Sequence, residues 1–530
     1  MNAIIRDNNF VYFENITQHE DNVLWEAFSV SRPGTYIDPN QRGQWDGVYR
    51  KYNRSRKKIA RPLLALVIEV CKKHNLPLSI TDAREAWGYP IPTVDIVTAD
   101  MLPDITLEEY QLTSIREAIT NECGIIALPT GAGKTEVACA ICKIFDCPTV
   151  ILADQTIVVE QARTRLLLRD IKDEVGMFYA GHKPNGQTIV VGSIQSLTPP
   201  KAVPAPPKHL KGEDEHQYTK RYVKYENQLK AFETRKANAE ELLEYIHNAE
   251  MLLVDECDKA CSESYKNLFR NHFHGRRRYG FSGTPTDPSK PVEALVVQEH
   301  LGSIIHRVDR ALLTSLGRII PCEYKMFCVG GYGDIKESTA YDIAINDFMV
   351  ENADFHSLIY RIATNKLPEG DGVLILVDRE VLGQSLLELF RSSGMPAEFI
   401  YGKTDKNTRR EAIRDFEDRK FQILIGGKII NRGLDLKGGC ERLIIATGGK
   451  LQSDFEQKIG RALRLNKRGK SVIYDFYFRN NKYLYNHSKA RLKIIDHIGY
   501  PSTVIFPNGV LDGSELIRSR FKVPSALFGK

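Results

Sequence analysis

A chain of 530 residues is too long for one hydrophobic core, and 42% hydrophobic with 26% charged residues makes it globular, with roughly three to four domains, rather than disordered or fibrous. No run approaches the roughly 18 apolar residues of a membrane span, and the start, MNAIIRDNNFVYF, lacks a signal-peptide plan, so an intracellular, cytoplasmic protein is expected. A net charge of only +6 excludes a uniformly basic nucleic-acid binder and confines any such affinity to local patches.

Residues 1–100 read as a separate small α+β domain. Phe10 to Phe13 is a strand, and Ile59 to His74 has helical apolar spacing at Leu63, Leu64, Val67, Ile68 and Cys71. Between them, residues 42–61 carry eight basic residues against one acid, Asp46, with Trp45, Tyr49 and Tyr52 interleaved. Such a run is either a solvated face or a surface for the DNA backbone. The charge density and the aromatics favour DNA, with Trp45, Arg54, Arg56, Lys57 and Lys58 as the contacts. Residues 93–103 read as linker.

Tyr110 and Gln111 open a helix ending near Thr120, and the two-sided amide of Gln111 suits the edge of an adenine. The apolar run Gly124 to Leu128 then leads through Pro129, Thr130, Gly131, Ala132, Gly133, Lys134 and Thr135 into a helical pattern beginning at Glu136. A buried strand, a glycine loop and a helix start make a phosphate-binding loop: backbone N–H groups converge on one anion, Lys134 reaches the outer phosphates, and the Thr135 hydroxyl is placed for Mg²⁺. The alternative is a glycine-rich turn with no ligand. Leu128 stands where the general pattern has another glycine. Cys139, Cys142 and Cys147 follow with no second ligand pair at zinc spacing, so helix packing is expected of them.

Thr149 to Ala153 and Thr188 to Gly192 are buried-type strands; the second ends in Ser193 and Gln195, at the strand end where an open α/β sheet places ligand contacts. Met251 to Val254 delivers Asp255-Glu256-Cys257-Asp258. One carboxylate, Asp255, is suited to hold Mg²⁺ and the next, Glu256, to position or deprotonate the attacking water. Tyr279 to Pro285, ending SGTP, supplies another strand. A second α/β unit starts near Arg318, with strands Gly372 to Val377, Ala397 to Tyr401 and Phe421 to Ile425. Near its end Arg461 and Arg464 lie three apart on one predicted helical face, as a surface ion-pair site or as arginine fingers for the γ-phosphate.

PTGAGKT, DECD, SGTP, NRGLD and QKIGRALR, in this order and spacing, resemble the motif set of superfamily 2 helicases and translocases over roughly residues 105–480. Within that superfamily the chain is most similar to phage branch-migration helicases of the UvsW type, and more loosely to the RecG and XPB types. The resemblance implies an α/β fold with two tandem RecA-like domains of parallel sheet that bind ATP and Mg²⁺ between them. The ATP site would comprise Tyr110, Gln111, Pro129 to Thr135, Asp255, Glu256, Gly433, Asp435, Gln457 on the catalytic water, Arg461 and Arg464; Thr135 and Asp255 would be the metal ligands. Gln161, Ser193, Gln195, Arg379, Lys403, Gly427 and Lys428 would line the DNA strand; Gly426-Gly427 replaces the threonine of the family pattern. The expected organisation is a DNA-recognition domain over 1–100, motor domain 1 over 101–315, motor domain 2 over 316–482 and a C-terminal helical extension over 483–530 whose end is loop.

Residues 199–248 are expected as a helical insertion, because Tyr218, Tyr222, Tyr225, Leu229 and Phe232 recur at helical spacing after a proline-rich lead-in. It is either a helix packed on its own domain or an arm for a DNA junction or a replication or recombination protein. The resemblance implies a monomeric translocase on forked and four-way-junction DNA, moving 3′→5′, in replication, recombination or repair (in the host cytoplasm for a phage-encoded chain). An RNA helicase and a nucleic-acid scaffold with idle ATPase parts are the competing readings.

Overall fold

The computed structural model describes residues 1–31, 46–154, 156–179, 182–200, 202–210, 212–287, 290–330, 340–427, 436, 438–450 and 452–528. The chain divides into two compact units, residues 1–129 with 133–308, and residues 130–132 with 309–530.

In the first unit, β1 (Asn2–Ile5), β2 (Phe10–Glu14), β5 (Lys58–Ala60) and β6 (Ser79–Asp82) form a mixed sheet in the order β5-β2-β1-β6, and β3 (Ser29–Ser31) pairs with β4 (Val48–Arg50). Alternation along β2 sends Val11 and Phe13 inward against α1 (Gln18–Ala27) and α2 (Leu64–Lys73). A capping box fixes the start of α1: the Glu20 amide donates to the Thr17 hydroxyl and the Thr17 amide to the Glu20 carboxylate.

This N-terminal part does not stand alone, as its sequence suggests it would. Leu295, on the helix Pro291–Leu301, packs into its core with Phe28, Tyr52 and Leu63. Lys51 pairs with Glu299, and Arg278 donates to the carbonyl of Asn8 and the side chain of Asn9. The contacts join residues some 250 positions apart, so no local pattern announces them.

The remaining strands of the first unit are β7 (Cys123–Ala127), β8 (Thr149–Ala153), β9 (Gly176–Phe178), β10 (Ile189–Ser193), β11 (Met251–Asp255), β12 (Arg277–Ser282) and β13 (Ile304–Arg307). They form one wholly parallel sheet, β13-β7-β12-β11-β8-β10-β9. Its central strands are apolar on both faces, as helix-covered parallel strands must be. The flanking helices include α3 (Glu109–Thr120), α4 (Lys134–Phe145) and α5 (Thr156–Leu168). The strand order brings the C-terminal ends of β7, β12 and β11 side by side; these ends carry the glycine loop, the SGTP segment and the DECD segment.

The insertion is a single helix, α6 (Glu215–His247), of 33 residues. Asp214 caps it by accepting from the Gln217 amide. Only its last turns are anchored, through Ala239, Leu242, Leu243 and Ile246, in the core under β10 and β11.

The second unit holds β14 (Cys322–Val329), β15 (Val373–Val377), β16 (Ala397–Ile400), β17 (Ile423–Gly426), β18 (Arg442–Ala446), β19 (Ser471–Phe478), β20 (Ser502–Phe506) and β21 (Gly509–Asp512). Its sheet runs β16-β17-β15-β18-β19-β14-β20-β21, parallel except for the last pair.

The C-terminal stretch departs from the helix-then-loop expectation. After the helix Lys482–Ile498, residues 502–512 form a β-hairpin that extends the sheet, burying alternate residues of Ser502–Phe506. Asn508-Gly509 beside an alternating apolar run is the hairpin signal that the helix-then-loop reading passed over. Arg491 of that helix pairs with the fully buried Asp475 of β19, which also accepts from the Tyr324 hydroxyl of β14. Among the described residues no helix is long and apolar enough to cross a membrane.

Candidate functional site

The glycine loop leaves β7 with its Leu128 amide donating to the Ser282 carbonyl at 3.1 Å, so it is sewn to the end of β12. Leu128 is fully buried, an anchor for the loop's entry rather than a defect in it. Gly131 (φ +89°) and Gly133 (φ +78°) adopt left-handed backbone that side chains disfavour. At Gly133 space adds to the requirement, because a Cβ would lie 2.3 Å from Nε2 of Gln111. Gln111 is buried and its Oε1 accepts the Glu108 amide at 2.9 Å, which caps α3 and seats the amide group beside the loop. Tyr110 is buried next to it on α3.

Lys134 and Thr135 open α4. The Lys134 ammonium reaches Oε1 of Glu256 at 2.9 Å. Burial alone would lower its pKa, but Glu256, Asp255 and Asp258 together hold it above the ordinary lysine value. Burial, reinforced by Glu256 and opposed by Lys134, raises Asp255 to about 6. Asp258 is raised to about 6, chiefly by burial and then by Glu256. Three carboxylates around one ammonium leave an excess of negative charge at the end of β11. With the Thr135 hydroxyl and the Asp255 carboxylate lining one cavity of about 60 Å³, this oxygen-donor set fits Mg²⁺, which takes few protein ligands and keeps waters and phosphate oxygens for the rest. Glu256 has a left-handed backbone at φ +47°, a cost of about 1–3 kcal/mol for a residue with a side chain, and such outliers cluster at functional sites.

Two residues absent from the predicted set belong to this cluster. The Ser282 hydroxyl donates to Oδ1 of Asp258 at 3.2 Å and accepts the Thr284 amide at 3.1 Å. The SGTP and DECD segments are thus joined directly, and their membership of named motifs was the signal for both residues. Cys139, Cys142 and Cys147 are buried in packing around α4.

Ser193 and Gln195 are joined: the Ser193 hydroxyl donates to Oε1 of Gln195, whose Nε2 donates to Asp154 at 3.0 Å. Gln161, which the resemblance places along the same strand, lines the cavity of Lys134, Thr135 and Asp255. It lies on α5, which approaches the start of α4.

The N-terminal basic run is largely occupied by internal partners. Arg54 and Lys57 both pair with Asp21, a buried carboxylate that also accepts from the Tyr52 hydroxyl at 2.7 Å. Arg50 pairs with Asp46, and Lys58 sits 3.4 Å from the centre of the Phe10 ring. Arg56 is exposed and forms no ion pair among the described residues. Trp45 lies outside the described residues.

Burial opposes the ionised form of Asp21, yet hydrogen bonds from Lys57, Tyr52 and Arg54 outweigh it and depress its pKa. Lys57→Ala is therefore expected to destabilise the chain by about 1–3 kcal/mol at pH 7. With a folded pKa below the unfolded value of about 3.9, the stabilisation is present above that value and lost as pH falls through the folded one. Urea melts at pH 7 and pH 3 check this. A wild-type-to-variant gap below about 0.5 kcal/mol at pH 7 would contradict it.

In the second unit Arg379, Lys403 and Gly427 stand just beyond the C-terminal ends of the adjacent strands β15, β16 and β17. Arg379 pairs with Asp342, Lys403 approaches Glu380 at 3.5 Å, and the Gly427 amide donates to Ile400 at 2.8 Å. Gln457 is half-buried on the helix Gln452–Ala462. Arg461, on the same helix, is buried, and burial lowers its pKa to about 10. Arg464 lies beyond the helix end rather than on its face; Nη1 donates to the Leu436 carbonyl at 3.5 Å. Lys428, Gly433 and Asp435 lie outside the described residues.

Residues 104–287 match the family model described as type III restriction enzyme, res subunit, and residues 355–466 match the helicase conserved C-terminal domain. The chain is 23% identical over 419 residues to the putative helicase 22 of the Sulfolobus islandicus filamentous virus, covering 75% of this chain and 68% of that protein. It is 22% identical over 417 residues to the DNA 3′-5′ translocase XPB2 of Sulfurisphaera tokodaii, covering 72% and 83%. Among solved structures, T4 UvsW aligns over 95% of this chain and 99% of its own at 15% identity, with a TM-score of 0.41. With both helicase modules matched in order and the glycine-loop, DECD and SGTP segments gathered at one sheet edge, the chain belongs to the superfamily 2 helicases and is an ATP-hydrolysing enzyme.

Proposed function

We propose that the chain is an ATP-driven DNA translocase that remodels branched DNA, by fork reversal and branch migration, moving 3′→5′ along one strand. The observation that carries the chemistry is the Lys134–Glu256 contact beside Asp255. It also argues against an idle scaffold, since the glycine-loop lysine and both leading acids of the DECD segment meet at one strand end.

The glycine-loop amides would hold the ATP phosphates, and Lys134 would leave Glu256 for the outer phosphate oxygens. Glu256, so released, would orient and deprotonate the attacking water. Thr135 and Asp255 would hold Mg²⁺, which supplies charge neutralisation on the phosphates when bound. Arg461 and Arg464 are assigned to the charge developing on the γ-phosphate, and Gln457 to the water. Gln111, with Tyr110, is assigned to the adenine side. Ser193, Gln195, Arg379, Lys403, Gly427 and Lys428 are assigned to the DNA strand, and Arg56 and Trp45 to duplex beyond the junction.

DNA rather than RNA, and the polarity, are supported by the name of the XPB2 relative; branched DNA is supported by the likeness of the motif set to branch-migration helicases. The test is ATP hydrolysis measured with single-stranded DNA, duplex, fork, four-way junction and RNA. Fork and junction are expected to stimulate most. Equal or greater stimulation by RNA would overturn the assignment.

A further inference from the structure

A cleft of about 600 Å³ opens at the C-terminal ends of β8 and β10 in the first unit. One wall carries Asp154, Ser193 and Gln195; the other is the foot of α6, with Arg235 and Asn238; Tyr179 and His182 close one end. We propose that this cleft binds a stretch of single-stranded DNA through phosphodiester contacts from Arg235 and Asn238, so that the insertion is a nucleic-acid arm. The proposal rests on the translocase reading above and assigns residues outside the motif set.

Three observations converge on it. The first is the charge left over inside the cleft. Asp154 is neutralised by Lys259 at 2.6 Å and bonded by Gln195, and Lys183 at the rim is paired with Glu241. Arg235 is exposed and makes no ion pair or hydrogen bond among the described residues, so a cation faces the cleft with its partner still to come. A guanidinium suits a phosphodiester.

The second is the distribution of charge along α6. Residues 215–238 carry six basic side chains (Lys220, Arg221, Lys224, Lys230, Arg235 and Lys236) against three acids, whereas residues 239–247, the anchored end, carry three acids and no lysine or arginine. An arm designed to pack on its own domain would not divide its charge this way.

The third is the surface that rises from the cleft. None of residues 215–238 is buried, over a helix about 50 Å long in all. Its outer part carries a row of rings, with His209 stacked on Tyr218 at 3.5 Å, and tilted contacts from Tyr218 to Tyr222 at 6.0 Å and from Tyr222 to Tyr225 at 5.8 Å. Within the cleft Tyr179 and His182 form a second ring pair at 5.1 Å. Basic side chains interleaved with aromatic rings are what binds single strands without sequence preference, and a volume of this size admits a nucleotide unit.

The test is binding of a fluorescein-labelled single-stranded DNA to the full chain, followed by anisotropy across a salt series. Arg235→Glu combined with Asn238→Ala is expected to weaken binding about tenfold, and Arg235→Ala to flatten the log–log salt slope by about 0.7, one single-strand phosphate contact. A 4-thiothymidine oligonucleotide is expected to crosslink within residues 215–238. Because Arg235 is exposed, an unchanged melting temperature should accompany the loss. Wild type and variants binding alike with equal slopes would overturn the cleft and return the arm to a protein partner. A wild type that binds no DNA would overturn the translocase reading with it.

Discussion

Glu256→Gln is expected to leave ATP binding close to wild type while lowering hydrolysis by about a hundredfold or more, the range that a lost general base produces. The substitution is nearly isosteric, and the amide oxygen can still accept from Lys134, which donates to Oε1 of Glu256 at 2.9 Å. The loop, the helix start and the ammonium should therefore stay in place, and what disappears is the capacity to take a proton from water. The backbone supports this division of labour. Glu256 holds a left-handed conformation at φ +47° in the turn between β11 and the following helical turn Cys257–Cys261, a conformation that glutamine can share at the same cost. Fluorescent-nucleotide titration and steady-state hydrolysis on forked DNA separate the two quantities. Turnover within about threefold of wild type would remove Glu256 from the chemistry, and a parallel loss of nucleotide binding would make it a structural partner of Lys134.

The contrast between what the sequence disclosed and what it hid follows chain distance. The glycine loop, DECD and SGTP were legible because each is a contiguous strand end whose residue types state their chemistry, and the parallel order places those ends side by side. The 33-residue insertion helix was legible from its ring spacing, though not that most of it would stay unburied. The fate of the basic run was not legible. Whether Arg54 and Lys57 face DNA or Asp21 depends on a carboxylate more than 30 positions away, and composition says nothing of where that carboxylate folds. Leu295 in the N-terminal core is the same problem over a longer span. The hairpin at residues 502–512 was missed for a different reason: its signal was present locally, and the stretch after the helix was read as loop.

Glu122→Ala is expected to destabilise the first unit by about 3 kcal/mol and to loosen the N-terminal sheet from the parallel sheet. Glu122 lies just before β7 and gathers three arginines: Arg61 at 2.6 Å, Arg84 at 2.8 Å and Arg276 at 2.5 Å. Arg61 and Arg84 come from the N-terminal part, Arg276 from the entry to β12, so one carboxylate joins the two. The arginine side chains are only 6%, 7% and 14% exposed. Removing the carboxylate leaves buried positive charge, which costs more than the ion pair itself contributes; losses of about 3–5 kcal/mol are usual. The lower end is expected because Asp82 remains on Arg84 at 2.6 Å and near Arg276 at 3.7 Å. Arg61 keeps the carbonyls of Asn8 and Arg276 but no carboxylate. Burial works against the Glu122 carboxylate, but Arg61, Arg276 and Arg84 outweigh it and hold its pKa below the usual value. Its stabilisation is then complete above the unfolded pKa of about 4.3 and fades as pH falls through the folded value. Urea melts should show the gap at pH 7 and its narrowing near pH 3, and limited proteolysis at pH 7 should cut the variant faster within residues 93–103. A gap under about 1 kcal/mol at pH 7 would mean that the shared apolar core around Leu295, rather than the ion cluster, holds the N-terminal sheet to the motor.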